Sequence, residues 1–170
     1  MNQTYRNILK WSLYGLLFLL AMLVQTVVLG SRTIFGARLS LVPVVVACVA
    51  CTEDHESGSL YALICALVWT LSGESSGAVY LLMLPIAAAV GGYLCSTYLT
   101  HGLLPCFVMC LLALALTEGG VYVQRLYMGA PLPHNALELL GIQAGLSLIS
   151  APLWWGLARA IGRTGGAYGT

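Results

Sequence analysis

Trp11 to Gly30 reads WSLYGLLFLLAMLVQTVVLG, twenty residues without a charge. A bilayer span needs about 20 predominantly apolar residues, with a range of about 17–25. Arg6 and Lys10 precede the run as they would precede a signal peptide. The apolar stretch is longer than a signal h-region, however, and no small-residue cleavage site closes it. It reads as a retained first membrane helix.

The rest of the chain has the same character. Of 170 residues, 59% are apolar and 8% charged, and mean hydropathy is +0.90. Counting the 19 glycines and dropping the nine tyrosines raises the apolar share to roughly 65%, against ~45–50% in soluble domains with ~25% charged. Thirteen charges (seven basic, six acidic) cannot coat an 18.1 kDa globule. This composition excludes a water-soluble domain and also intrinsic disorder, which requires low hydrophobicity. A net charge of +1 offers no footprint for nucleic acid.

Further apolar segments follow at 39–52, 58–72, 77–99, 103–123 and 136–161. The expected fold is all-α, a polytopic bundle of about six transmembrane helices forming one membrane domain over 1–163, with a flexible tail at 164–170. The segments at 39–52 and 58–72 are short. At ~1.5 Å per residue each covers 20–25 Å of a ~30 Å core, so they span with thinning, extend into their flanks or dip as a hairpin. Short connections predict antiparallel neighbours, the longest being Gln124–Asn135 with Pro131 and Pro133. An even number of passes puts both termini on one side. With the N-terminus inside, Arg6, Lys10, Arg159 and Arg163 face the cytoplasm, against Arg32, Arg38 and Arg125 outside. That bias favours cytoplasmic termini.

Polar groups inside apolar runs are the candidate functional residues. Glu118, in LALALTEGGVYV, is either a proton or cation relay or a hydrogen-bonded carboxyl near a helix end. Gln25 and Gln143 suit interhelical hydrogen bonds, and Gly141-xxx-Gly145 and Ala88-xxx-Gly92 allow close helix contact. Glu138 suits the positive end of the last helix. Glu53-Asp54-His55-Glu56 reads as a charged turn rather than a cation site. The six cysteines lie in apolar runs, where a thiol behaves as a small hydrophobe, so neither a disulfide framework nor a zinc site is expected. Cys48-xx-Cys51 and Cys106-xxx-Cys110 each lack a second pair or a nearby histidine motif. Gly73-Glu74-Ser75-Ser76-Gly77 matches the hydrolase G-x-S-x-G, but no aspartate follows it and its setting is a helix connection. No cofactor motif is present. An enzyme is not expected.

The layout resembles the rod shape-determining protein MreD family. The resemblance rests on Leu23-Val24-Gln25-Thr26 closing the first helix and on Pro43 early in the second. It continues through a charged turn at Thr52–Gly58, a third helix running Leu60 to Leu71 into Ser72-Gly73, and Ser76-Gly77-Ala78 opening the fourth. Gly92-Tyr93-Leu94 and a last helix with Pro152, Trp154 and Trp155 before Arg159 and Arg163 complete it. Thr70 stands where the family carries an aspartate, and an acidic cluster replaces its basic residue in the turn. The resemblance implies a non-enzymatic scaffold of the cell-wall elongation machinery that maintains rod shape. It would hold an MreC-like bitopic protein, couple to the actin-like MreB filament, and associate with a RodA-type glycan polymerase and a class B penicillin-binding transpeptidase. Gln25, Pro43, Gly92, Glu118, Gly141, Gln143 and Gly145 would be its helix or partner contacts. The layout is also similar to the substrate-binding membrane subunit of an energy-coupling-factor vitamin transporter. That is the competing expectation, although helix one presents bulky Leu, Phe and Met where that family has Ala-xxx-Ala.

Overall fold

The computed structural model describes residues 3–28, 39–73, 77–98, 103–129 and 136–164. Among them there is no strand. Six helices follow in order: α1 (Gln3–Leu23), continued by a π-helical turn (Val24–Val28), α2 (Leu41–Thr52), α3 (His55–Leu71), α4 (Gly77–Tyr98), α5 (Leu103–Tyr127) and α6 (Ala136–Thr164). Four stretches are long and apolar enough to cross a membrane: Tyr5–Val27, Ala78–Cys95, Leu103–Tyr127 and Glu138–Arg163. α2 is a shorter apolar helix, and α3 has 17 residues. The first connection with Arg32 and Arg38, Ser75 of the G-x-S-x-G stretch, His101, His134 and the tail 165–170 lie outside the described residues.

Helix ends differ from the sequence expectation where charge is used internally. α1 begins at Gln3 rather than Trp11, and so carries Lys10 within it. Lys10 is buried because Glu53 neutralises it across an N–O distance of 2.8 Å. The expected charged turn is largely helical: Asp54 sits at the N-cap of α3, and Glu56 lies in its first turn, where a carboxylate suits the positive dipole end.

α2 organises the bundle. Every one of its twelve residues is buried, and it touches each of the other five helices. Its sequence, LVPVVVACVACT, is apolar on all sides, which is the pattern of a helix enclosed by protein or lipid rather than one with a wet face. Twelve residues rise about 18 Å, short of the ~30 Å core. The surrounding helices present an apolar exterior that includes Leu16, Leu60, Leu82, Leu104 and Leu153.

Neighbours alternate in direction. Lys10 and Tyr14 of α1, Glu53 after α2 and Ala158 of α6 meet at one end of α2. Gln25, Ser40, Tyr80 of α4, Glu118 of α5 and Ser147 of α6 gather at the other. Close approach depends on glycines. A Cβ on Gly58 would stand 3.0 Å from the Ala50 backbone, one on Gly91 would run into the Met109 thioether, and one on Gly120 would meet Val79 at 2.6 Å.

Gly58→Val should therefore lower the thermal unfolding midpoint in detergent, with an overpacking cost of about 1–3 kcal/mol. Gly15→Val, with no atom within 4 Å of its Cβ, should change it far less. Equal shifts in the two variants would contradict the α2–α3 packing.

Candidate functional site: two polar layers around a buried helix

A helix leaves its first four N–H groups without internal partners. In an apolar surround each unsatisfied group costs several kcal/mol. The N-terminus of α2 meets this requirement completely. Gln25 Oε1 accepts from Leu41 N at 2.8 Å and from Val42 N at 3.0 Å. Ser147 Oγ accepts from Ser40 N at 3.2 Å. The fourth position is Pro43, which has no N–H to satisfy and is tolerated in a first helical turn. Gln25 lies in the π-helical turn that ends α1, a wider turn of the kind often found at functional positions.

Ser40 extends this layer. Its side chain makes no cap bond to its own helix; instead Ser40 Oγ lies 3.2 Å from the Tyr80 hydroxyl. Tyr80 donates to Glu118 Oε1 at 2.8 Å, so the Ser40 hydroxyl is the donor to Tyr80. Glu118, which the sequence leaves without a partner, thus ends a chain running from α2 through α4 to α5. Trp69 packs beside it, its ring 6.1 Å from that of Tyr80, and its buried indole Nε1 has no hydrogen-bond partner.

The second layer closes the other end of α2. Glu53 takes Lys10 Nζ on Oε2 and the Tyr14 hydroxyl on Oε1, both at 2.8 Å. The two charged side chains are 10% and 7% exposed. Tyr14 also reaches Ala158 O at 3.4 Å, and its own carbonyl accepts from the Tyr61 hydroxyl at 2.9 Å. Trp11, Tyr14 and Tyr61 form an aromatic group with ring centroids 5.8–6.3 Å apart. Arg159 lies 4.9 Å above the Trp155 ring, a cation–π contact at the same end of the bundle.

The sequence-derived candidates divide cleanly. Gln25, Pro43 and Glu118 converge on the first polar layer. Gly92 belongs to the opposite end, where a Cβ would stand 3.1 Å from His55 Cα. Gly141 and Gly145 are exposed, with nothing within 4 Å of a Cβ at either. Gln143 between them is half-buried. Sequence reasoning missed Lys10, Tyr14, Ser40, Tyr80 and Ser147. A lysine one residue before an apolar run reads as a flank, and a tyrosine or serine inside a run reads as filler. For Glu53 a signal was present, since Glu53 is the first charge after α2.

The thiols are also closer than their spacing suggests. All six cysteines are free and buried. Cys48 of α2 faces Cys106 and Cys110 of α5 at 3.5 and 3.8 Å, and Cys51 lies 3.5 Å from Cys95 of α4. Cys48 of one sequence pair and both cysteines of the other, which the sequence left separate, therefore form one group.

No protein-family model, curated protein or solved structure matches the chain.

Two measurements check the layers. Gln25→Leu should strand two amides at about 1–3 kcal/mol each and lower the unfolding midpoint well beyond Gln143→Leu; equal effects would contradict the capping role. Removing one partner of the ion pair, as in Lys10→Met or Glu53→Leu, should cost about 3–5 kcal/mol. The double variant should recover much of the loss. Additive losses in that cycle would show that the pair is not coupled.

Proposed function

We propose that this chain is a non-enzymatic membrane scaffold of the bacterial cell-wall elongation machinery. In this reading it is a multi-pass protein of the plasma membrane, crossing it an even number of times with both termini in the cytoplasm. It maintains rod shape by holding an MreC-like bitopic protein, and through it the MreB filament, beside a RodA-type polymerase and its transpeptidase.

The family resemblance supplies the identity of the partners. The observation that carries the scaffold reading is the placement of Gly141 and Gly145. They lie one turn apart on α6, exposed, and among the described residues no atom stands within 4 Å of a Cβ placed on either. α6 is also the least enclosed of the four long helices, with 17% of its apolar stretch inside the bundle against 39% for α4 and for α5. A small-xxx-small stripe lets another helix approach closely in lipid, where van der Waals packing rather than hydrophobicity drives association. A single-pass partner offers such a helix. The buried polar groups support the same reading from the other side: Lys10, Glu53, Tyr14, Tyr80 and Glu118 make hydrogen bonds within the bundle, in the manner of a rigid support.

The test is co-purification from native membranes with a tagged chain. The wild type should recover an MreC-like bitopic protein, and Gly141→Leu with Gly145→Leu should reduce that recovery at least about tenfold, a coupling of ~1.4 kcal/mol, without lowering the unfolding midpoint. Gly15→Leu, an outward glycine on α1, should leave recovery intact. Recovery of a stoichiometric small ligand with no such partner would overturn the proposal in favour of the transporter subunit.

A further inference from the structure

Three sulfurs on two helices point at one place in the core. Cys106 and Cys110 are one turn apart and so share a face of α5. That face meets Cys48 of α2, and the three Sγ atoms all lie within 4.8 Å of one another. Two of the separations are 3.5 and 3.8 Å. Sulfurs bound to a common metal ion at ~2.3 Å stand about 3.8–4.0 Å apart, so the free thiols are already near the spacing of a coordinated set. A thiol acting as a small hydrophobe explains one buried cysteine. It does not require three sulfurs to converge.

We infer that Cys48, Cys106 and Cys110 form a three-coordinate site for a soft monovalent metal ion, Cu(I). Among the described residues the group of possible ligands closes at three. Zn(II) in a structural site takes four ligands in a tetrahedron, whereas an all-sulfur set of three suits Cu(I), the ion that soft thiolates select. Each sulfur that binds as thiolate releases its proton to solvent. The resulting negative charge is partly offset by the N-terminus of α5, since Cys106 is the fourth residue of that helix and the positive dipole end lies beside it. Cys106 lies about 4.5 Å along the axis from the first residue of α5, and Leu103 and Leu104 there are exposed. Cys51 and Cys95, 3.5 Å apart, form a neighbouring thiol pair behind the site. This inference does not depend on the scaffold reading.

The experiment is an anaerobic titration of the full chain in detergent, with Cu(I) buffered by bathocuproine disulfonate and the bound metal examined by X-ray absorption. The wild type should take one equivalent with a shell of three sulfurs at ~2.3 Å. Cys48→Ser and Cys106→Ser should each weaken binding at least about tenfold, while Cys65→Ser on α3 should not. Failure to compete with the chelator, equal loss in Cys65→Ser, or a shell of two sulfurs would overturn the inference. So would retention of Zn(II) in preference to Cu(I). If a serine variant loses its helical circular dichroism, the wild-type absorption shell decides the question alone.

Discussion

The structure depends on one constraint: a helix enclosed in an apolar medium has no water to take up its terminal amides. α2 is such a helix, twelve residues long and buried on every side. Its first four positions are resolved by one glutamine oxygen, one serine hydroxyl and a proline that has no donor. Each solution fixes a neighbour. Gln25 ties α2 to the end of α1, and Ser147 ties it to the middle of α6. Ser40, freed from capping its own helix, engages Tyr80 and through it Glu118. The opposite end is held by Glu53, with Lys10 and Tyr14 of α1. Two polar layers about 18 Å apart thus define the thickness of an apolar slab, and the cysteines lie between them.

Charge scarcity has a structural meaning in this arrangement. Thirteen charged side chains in 170 residues mark the chain as a membrane protein. Among the described residues, Lys10, Glu53 and Glu118 are hydrogen-bonded inside the bundle. Buried ion pairs contribute little net stability but penalise alternatives strongly, because separating them leaves a bare charge in a low dielectric. The layers therefore specify one packing more than they deepen it. That property suits the scaffold role proposed above.

Much of the fold was legible in the sequence. Uncharged apolar runs about a span long identify helices by composition alone, and five of the six expected segments begin or end within a few residues of α2 through α6. Gln25 and Glu118 were visible as polar groups where polar groups are costly, and Pro43 was visible only as a proline early in the second apolar segment. Packing partners were not legible. On a helix apolar all round, no periodicity says which face meets protein and which meets lipid. Spacing therefore singled out Gly141 and Gly145 and passed over Gly58, Gly91 and Gly120, yet the latter three sit in tight contacts and the former two are exposed. For the same reason Cys48 and the Cys106–Cys110 pair, 58 and 62 residues apart, carried no shared signal.

The enclosure of α2 is the central claim, and lipid contact tests it most directly. The protein would be reconstituted with a phospholipid carrying a photoactivated carbene precursor on its acyl chain, and labelled residues mapped by mass spectrometry. Label should fall on outward positions such as Leu82, Leu111, Ile149 and Leu153, all exposed, and should be missing from residues 41–52. Labelling of α2 at the level of those outward leucines would mean that it faces lipid, and the account built on its capping would fail.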